Sequence, residues 1–104
     1  MKGLRDFEKR HVRFTAERRE HILEHPEMKG MISQVGKVLA EPQRVVLSLS
    51  DDESYLYYRW YVDTCVGDKY LCVVVKVRDK DAFVLTAYLT DSIKKGELLW
   101  PKRV

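Results

Sequence analysis

The hydrophobic period of this chain changes once, at Pro42, and that change limits the folds open to it. Before Pro42, apolar residues fall at Met28, Met31, Ile32, Val35, Val38 and Leu39, one stripe of a helix. After it the period is two. Four strands are predicted, over 44–50, 55–62, 69–78 and 82–90. The turns are Asp51-Asp52-Glu53-Ser54, a segment around Gly67-Asp68, and Asp79-Lys80-Asp81. Helices come first and an antiparallel meander follows. The expected class is α+β, with two N-terminal helices on one face of a four-stranded antiparallel sheet.

The first helix is predicted over 16–25. Thr15 is its N-cap, and Glu17 sits in the first turn, where a carboxylate suits the helix dipole. Pro26 ends it, because the residue before a proline avoids the helical region. Gly30 and Gly36 weaken the second helix, and Pro42 stops it. Residues 1–10 read as a loose charged lead, 11–42 as the helical part, 43–91 as the meander and 92–104 as a basic tail. At 104 residues, these form one domain.

The chain is 45% hydrophobic and 34% charged, a globular mix. No run approaches the ~20 apolar residues of a membrane helix, and the charged start is not a secretory signal. Two cysteines, Cys65 and Cys72, are too few for a disulfide scaffold, so a reduced, cytoplasmic setting is expected. A net charge of +3 permits nucleic-acid binding without requiring it.

Alternation assigns faces. In strand 69–78, Leu71, Val73, Val75 and Val77 point to the helices. In 82–90, Phe83, Leu85, Ala87 and Leu89 do so, and in 55–62, Leu56, Tyr58, Trp60 and Val62. The opposite sets collect Tyr57, Arg59, Tyr61, Lys76, Thr86 and Tyr88 on a face open to solvent. Aromatic rings stack bases, and Arg and Lys neutralise phosphates. Tyr and Thr also suit any half-exposed pleated surface, so composition alone does not make this face a site. Lys76 is the most informative member, because it interrupts a run of valines.

His21-Ile-Leu-Glu24-His25 matches the H-x-x-E-H zinc pattern. Pro26 follows at once and no third ligand is evident, so no metal site and no cofactor are expected. His25 reads as a helix C-terminal cap. His21 flanks the buried stripe and is a candidate general acid or base.

The chain resembles a known group at Phe14-Thr15-Ala16-Glu17-Arg18-Arg19-Glu20-His21-Ile22, His25-Pro26-Glu27, Tyr57-Tyr58-Arg59, 69–76 (KYLCVVVK), 83–91 (FVLTAYLTD) and Ile93-Lys94-Lys95-Gly96. These segments are similar to the small phage-associated nuclease-like domains of the barnase–EndoU–colicin–RelE superfamily. The resemblance implies a metal-independent endoribonuclease of toxin type. His21 would be the acid/base, Lys76 and Arg59 the phosphate clamps, and Thr86 and Tyr88 the phosphate-positioning groups. Tyr57 would stack a base, with Tyr61, Lys94 and Lys95 as further RNA contacts. RNA, tRNA included, would be the substrate. An antitoxin or inhibitor protein would be a partner. Two other readings use the same face: a non-catalytic RNA- or protein-binding module, and a homodimer closed by Tyr55, Tyr57, Trp60 and Tyr61. Cleavage needs His21 within proton-transfer reach of Lys76, Thr86 and Tyr88.

Overall fold

In a computed structural model that describes residues 3–101, seven strands form one sheet, with two short α-helices on one of its faces. The strands are β1 (Gly3–Arg5), β2 (His11–Arg13), β3 (Arg44–Ser48), β4 (Ser54–Thr64), β5 (Gly67–Arg78), β6 (Asp81–Thr90) and β7 (Gly96–Trp100). Their order across the sheet is β1-β2-β6-β5-β4-β3-β7. The class is α+β. The expected four-strand meander is present as β3 to β6, each neighbour antiparallel to the next. Three strands are added to it. β7 extends the sheet beyond β3, and the β1–β2 hairpin joins at the other edge through a parallel β2–β6 contact, so the sheet is mixed.

The N-terminal residues depart from the expected loose lead. Asp6 is the reason. Its carboxylate accepts the Glu8 and Arg10 backbone N–H groups at 2.9 and 2.8 Å, which closes the turn between β1 and β2. It also accepts the Tyr57 hydroxyl at 2.7 Å and the Arg10 guanidinium at 2.6 Å. A buried carboxylate persists only with such partners, and these tie the hairpin to β4.

Helix α1 (Ala16–Leu23) begins as predicted, with the Thr15 hydroxyl accepting the Arg18 N–H at 3.2 Å. It stops two residues short of the predicted end. Glu24, not His25, is its C-cap, and His25 opens the 3-10 turn Pro26–Met28. The predicted second helix is broken. A second 3-10 turn, Ile32–Gln34, leads into α2 (Val35–Ala40). Gly30 lies in the gap between the two 3-10 turns and accounts for the break, since glycine sustains a helix interior poorly, whereas Pro26 sits at the first position of its turn, where its missing N–H costs nothing. Ile22, Met28, Val35, Val38 and Leu39 still point one way and pack on Val73, Val75, Val84 and Ala87 of the sheet.

Two face assignments are corrected by the register. Tyr57 pairs with Val73, and cross-strand partners share a face. Tyr55, Tyr57 and Tyr61 therefore lie under the helices, while Leu56 and Tyr58 lie on the opposite face with Val46, Cys72 and Val74. In β6 the register shifts at Val74/Val75, leaving Leu85 as an extra residue. One inserted residue reverses the alternation. Ala82 and Val84 thus enter the helix-facing core, and Phe83 and Leu85 move to the other face. Thr86 and Tyr88 keep their predicted side.

The expected tail contributes β7. Strands β6 and β7 run in the same direction at opposite sides of β5, β4 and β3. The connection 91–95 bends at Asp91 and Ser92, where the Ser92 N–H donates to the Thr90 hydroxyl at 3.4 Å, and then crosses the second face. Ile93 packs on the Tyr58–Cys72–Val74 cluster, and the Lys94 N–H donates to the Tyr58 hydroxyl at 3.1 Å. The second face is thus only partly open. Lys102 and Arg103, counted with the basic tail, lie outside the described residues. Among the described residues, no helix is long and apolar enough to cross a membrane.

Candidate nucleic-acid interface

The strap 91–95 and the β3–β4 hairpin enclose a concavity of about 460 Å³ on the face away from the helices. Its floor is Leu56 and Val74. Its walls carry the Ser48, Ser50, Ser54, Thr86 and Tyr88 hydroxyls, and Lys94 and Lys95 overhang it from the strap. Strand alternation presents Ser54, Leu56, Val74 and Thr86 together. The hairpin turn is built by Asp51, which accepts the Glu53 N–H and the Ser54 hydroxyl, each at 2.9 Å. Asp51 also accepts the Lys76 ammonium. That ammonium, the Glu53 N–H and the Ser54 hydroxyl hold the Asp51 carboxyl down at about 2.

Charges on this face differ in how they are balanced, and of the cations only Lys94 and Lys95 line the cup. Lys76 is matched by Asp51, Arg78 by Glu53 at 3.4 Å and Arg13 by Asp81 at 2.7 Å. The Arg13 and Arg78 guanidinium groups also lie over the Phe83 ring, at 5.4 and 5.9 Å. Among the described residues, Lys94 and Lys95 have no acidic partner. Lys94 Nζ lies 6.0 Å from the Tyr88 ring centroid, a cation–π distance. The cup therefore offers two ammonium groups without an ion-pair partner, the Thr86 and Tyr88 hydroxyls and the mutually bonded Ser48 and Ser50 hydroxyls, beside an Asp51 carboxylate already engaged by Lys76 and the Ser54 hydroxyl. This is an arrangement for an oxyanion.

Below the strap, Tyr58, Cys72 and Tyr88 form a compact polar cluster. Burial pushes both phenols well above the usual tyrosine range, and pushes the Cys72 thiol up to about 11. All three stay protonated at neutral pH, so they donate hydrogen bonds rather than abstract protons. Farther along the same face, Trp60 and Tyr70 are cross-strand partners in edge contact, with centroids 4.8 Å apart. Trp60 is 41% exposed, which leaves ring surface for a planar ligand.

The predicted site residues divide between the two sides of the sheet. Thr86, Tyr88, Lys94 and Lys95 line the cup, and Lys76 lies behind its Asp51 wall, paired with that carboxylate. His21, Arg59, Tyr57 and Tyr61 do not. His21 is on α1, which packs against β6 and sends Ile22 into the helix-side core with Val73 and Val75, while Lys76 alternates with Val75 to the other side. The sheet thus lies between that imidazole and the lysine. His21 is half-exposed, and Glu24 Oε1 is 3.8 Å from its Nδ1. Arg59 donates to the Glu41 carbonyl at 2.6 Å, closing the C-terminal end of α2. The Tyr61 hydroxyl donates to Gln34 Oε1 at 3.1 Å, and the Tyr57 hydroxyl to Asp6. These three attach helices and hairpin to the sheet. Tyr57 is fully buried and cannot stack a base; Tyr55 and Tyr61 are partly buried on the helix side of the sheet, whereas Trp60 is exposed.

Sequence reasoning missed the serines and Asp51. Their signal was present as Ser48-Leu49-Ser50-Asp51, with hydroxyls two apart at a strand end. Tyr70 was also missed, because its pairing with Trp60 depends on the register. Comparison of the chain with family models, with curated proteins and with solved structures finds no match.

Proposed function

We propose that the protein binds single-stranded RNA on the strapped face of its sheet, holding a backbone phosphate in the cup. The carrying observation is the pair of ammonium groups without an ion-pair partner, Lys94 and Lys95, above the Thr86, Tyr88 and Ser48–Ser50 hydroxyls. Phosphate oxygens accept from both group types, and charge-assisted hydrogen bonds are the stronger ones. Trp60 supplies a stacking surface on the same face, and stacking tolerates any base. Anisotropy of a labelled eight-nucleotide RNA tests this. Wild-type protein should bind, and Lys94→Gln/Lys95→Gln should bind at least tenfold more weakly with its thermal melt unchanged. Equal binding by the two proteins refutes the reading.

Endoribonuclease action is a second reading, favoured by one observation. Thr86 and Tyr88, sheet residues that the family resemblance implies, line this cup, and Lys76 reaches its Asp51. The reaction is attack of the 2′-oxygen on the adjacent phosphorus with departure of the 5′-oxygen, giving a 2′,3′-cyclic phosphate and a 5′-hydroxyl, with cations stabilising the phosphoryl oxygens. The 2′-hydroxyl proton would pass to solvent water, and a protonated group of the cup such as the Tyr88 phenol would supply the one the 5′-oxygen takes, because His21 is across the sheet. The same RNA and tRNA, incubated with protein in EDTA and run on a denaturing gel, decide it. Cleavage that survives His21→Ala and disappears in Lys76→Ala supports catalysis at the cup. Intact RNA under binding conditions leaves binding as the activity.

A further inference from the structure

A second cavity, of about 780 Å³, lies on the helical side, far from the cup in its chemistry. Leu4 of β1, Phe14 before α1, Ile32 of the second 3-10 turn, and Val35 and Gly36 of α2 give it an apolar wall. Its size is within the roughly 300–1,000 Å³ of organic-ligand sites. Two features mark it as more than loose packing. Gly36 sits within α2, where glycine is a poor helix former. A Cβ there would meet only Leu4 Cδ2, at 3.5 Å, so the glycine leaves space that a larger side chain would fill. Arg19 stands at the rim, one helical turn from Ala16 and on the same side of α1, with no acidic partner among the described residues. Ser33 adds a hydroxyl.

An apolar chamber with one uncompensated guanidinium at its mouth suits an amphiphile with an anionic head. We propose that this cavity binds an aliphatic carboxylate, the chain among Leu4, Phe14 and Ile32 and the carboxylate on Arg19. The site stands independently of the RNA reading, since the two lie on opposite faces of the sheet.

Calorimetric titration with octanoate, and in parallel with octanol, tests the proposal. Octanoate should saturate one site, and octanol should bind about fivefold more weakly. Arg19→Gln should weaken octanoate to the octanol level and leave octanol unchanged. Gly36→Leu fills the chamber from α2 and should abolish both; Ala16→Leu fills it from the exposed start of α1, should Gly36→Leu fail to fold. Circular dichroism verifies each fold. No saturable octanoate heat with wild-type protein, or wild-type binding by a folded filled variant, overturns the assignment.

Discussion

The charge balance of the cup predicts how binding should respond to salt. Each phosphate neutralised on a single strand contributes about −0.7 to the slope of log K against log salt. Lys94 and Lys95 are unmatched, whereas Lys76 is matched by Asp51. Lys94→Gln/Lys95→Gln should therefore flatten the slope by about 1.4, which between 50 and 200 mM salt is a sevenfold smaller loss of affinity, roughly. Asp51→Asn should steepen it by about 0.7, because it releases the Lys76 ammonium. The paired change Lys76→Gln/Asp51→Asn removes one charge of each sign and should leave the slope near the wild-type value. The assay is anisotropy of a labelled single-stranded RNA across a salt series, with circular dichroism for each variant. A full slope in the double lysine variant, or a shallower one in Asp51→Asn, would refute the reasoning, since either places the RNA elsewhere.

Three other outcomes follow from contacts in the fold. Tyr57→Phe deletes a buried donor to the Asp6 carboxylate and should cost about 1.5–3 kcal/mol in urea unfolding; an unchanged midpoint means the N-terminal hairpin is not held through that bond. Gly96→Ala places a Cβ 2.2 Å from the Leu47 carbonyl oxygen, so β7 must shift, at a cost of roughly 1–3 kcal/mol; amide exchange should show faster opening at the β3–β7 ladder. The Asp51 carboxyl is lowered on folding from its ordinary value near 3.8 to about 2, so its contribution is complete above about pH 5 and is lost as pH falls through about 2. Wild-type stability should decline through that window more steeply than that of Asp51→Asn, and parallel curves would contradict the Asp51–Lys76 pairing.

Order and class were legible because a change of period survives local detail. Helices before Pro42 and strands after it needed no tertiary information, and the Thr15 cap was readable from one residue. Faces were harder. In β4 the sets Leu56-Tyr58-Trp60 and Tyr55-Tyr57-Tyr61 are both apolar and aromatic, because both sides of that strand are covered. Alternation separates such sets without saying which faces the helices. The displaced residue in β6 is equally hidden, since Phe83-Val84-Leu85 reads as a smooth apolar run. Asp6 looked like one more charge in a charged lead, and its role depends on Tyr57, 51 residues away. Those same face assignments decided the candidate site. Thr86 and Tyr88 lie beyond the shift in β6 and were placed correctly. Arg59 and Tyr61 were placed from β4 and were not.

The cup follows from a packing need that the meander alone does not meet. Val46, Leu56, Tyr58, Cys72 and Val74 form an apolar patch on the side the helices leave bare. A sheet with such a patch uncovered is prone to association. The strap meets this need with little chain, residues 91–95 between β6 and β7. Ile93 covers the patch and the next two residues must come out over its margin, which is where the lysines stand. Gly96 then allows the chain to enter β7 against the Leu47 carbonyl, where any side chain would collide. Lys69 fastens the start of the strap through Asp91, and Tyr58 fastens its middle. Because the strap is attached through Asp91 to Lys69, through Ile93 to the patch and through the Lys94 N–H to Tyr58, Lys94 and Lys95 project from a tethered backbone. A preorganised pair of cations loses less entropy on meeting a phosphate than the same lysines on a mobile tail, so in the proposed reading the strap, more than the net charge of +3, would supply the phosphate contact.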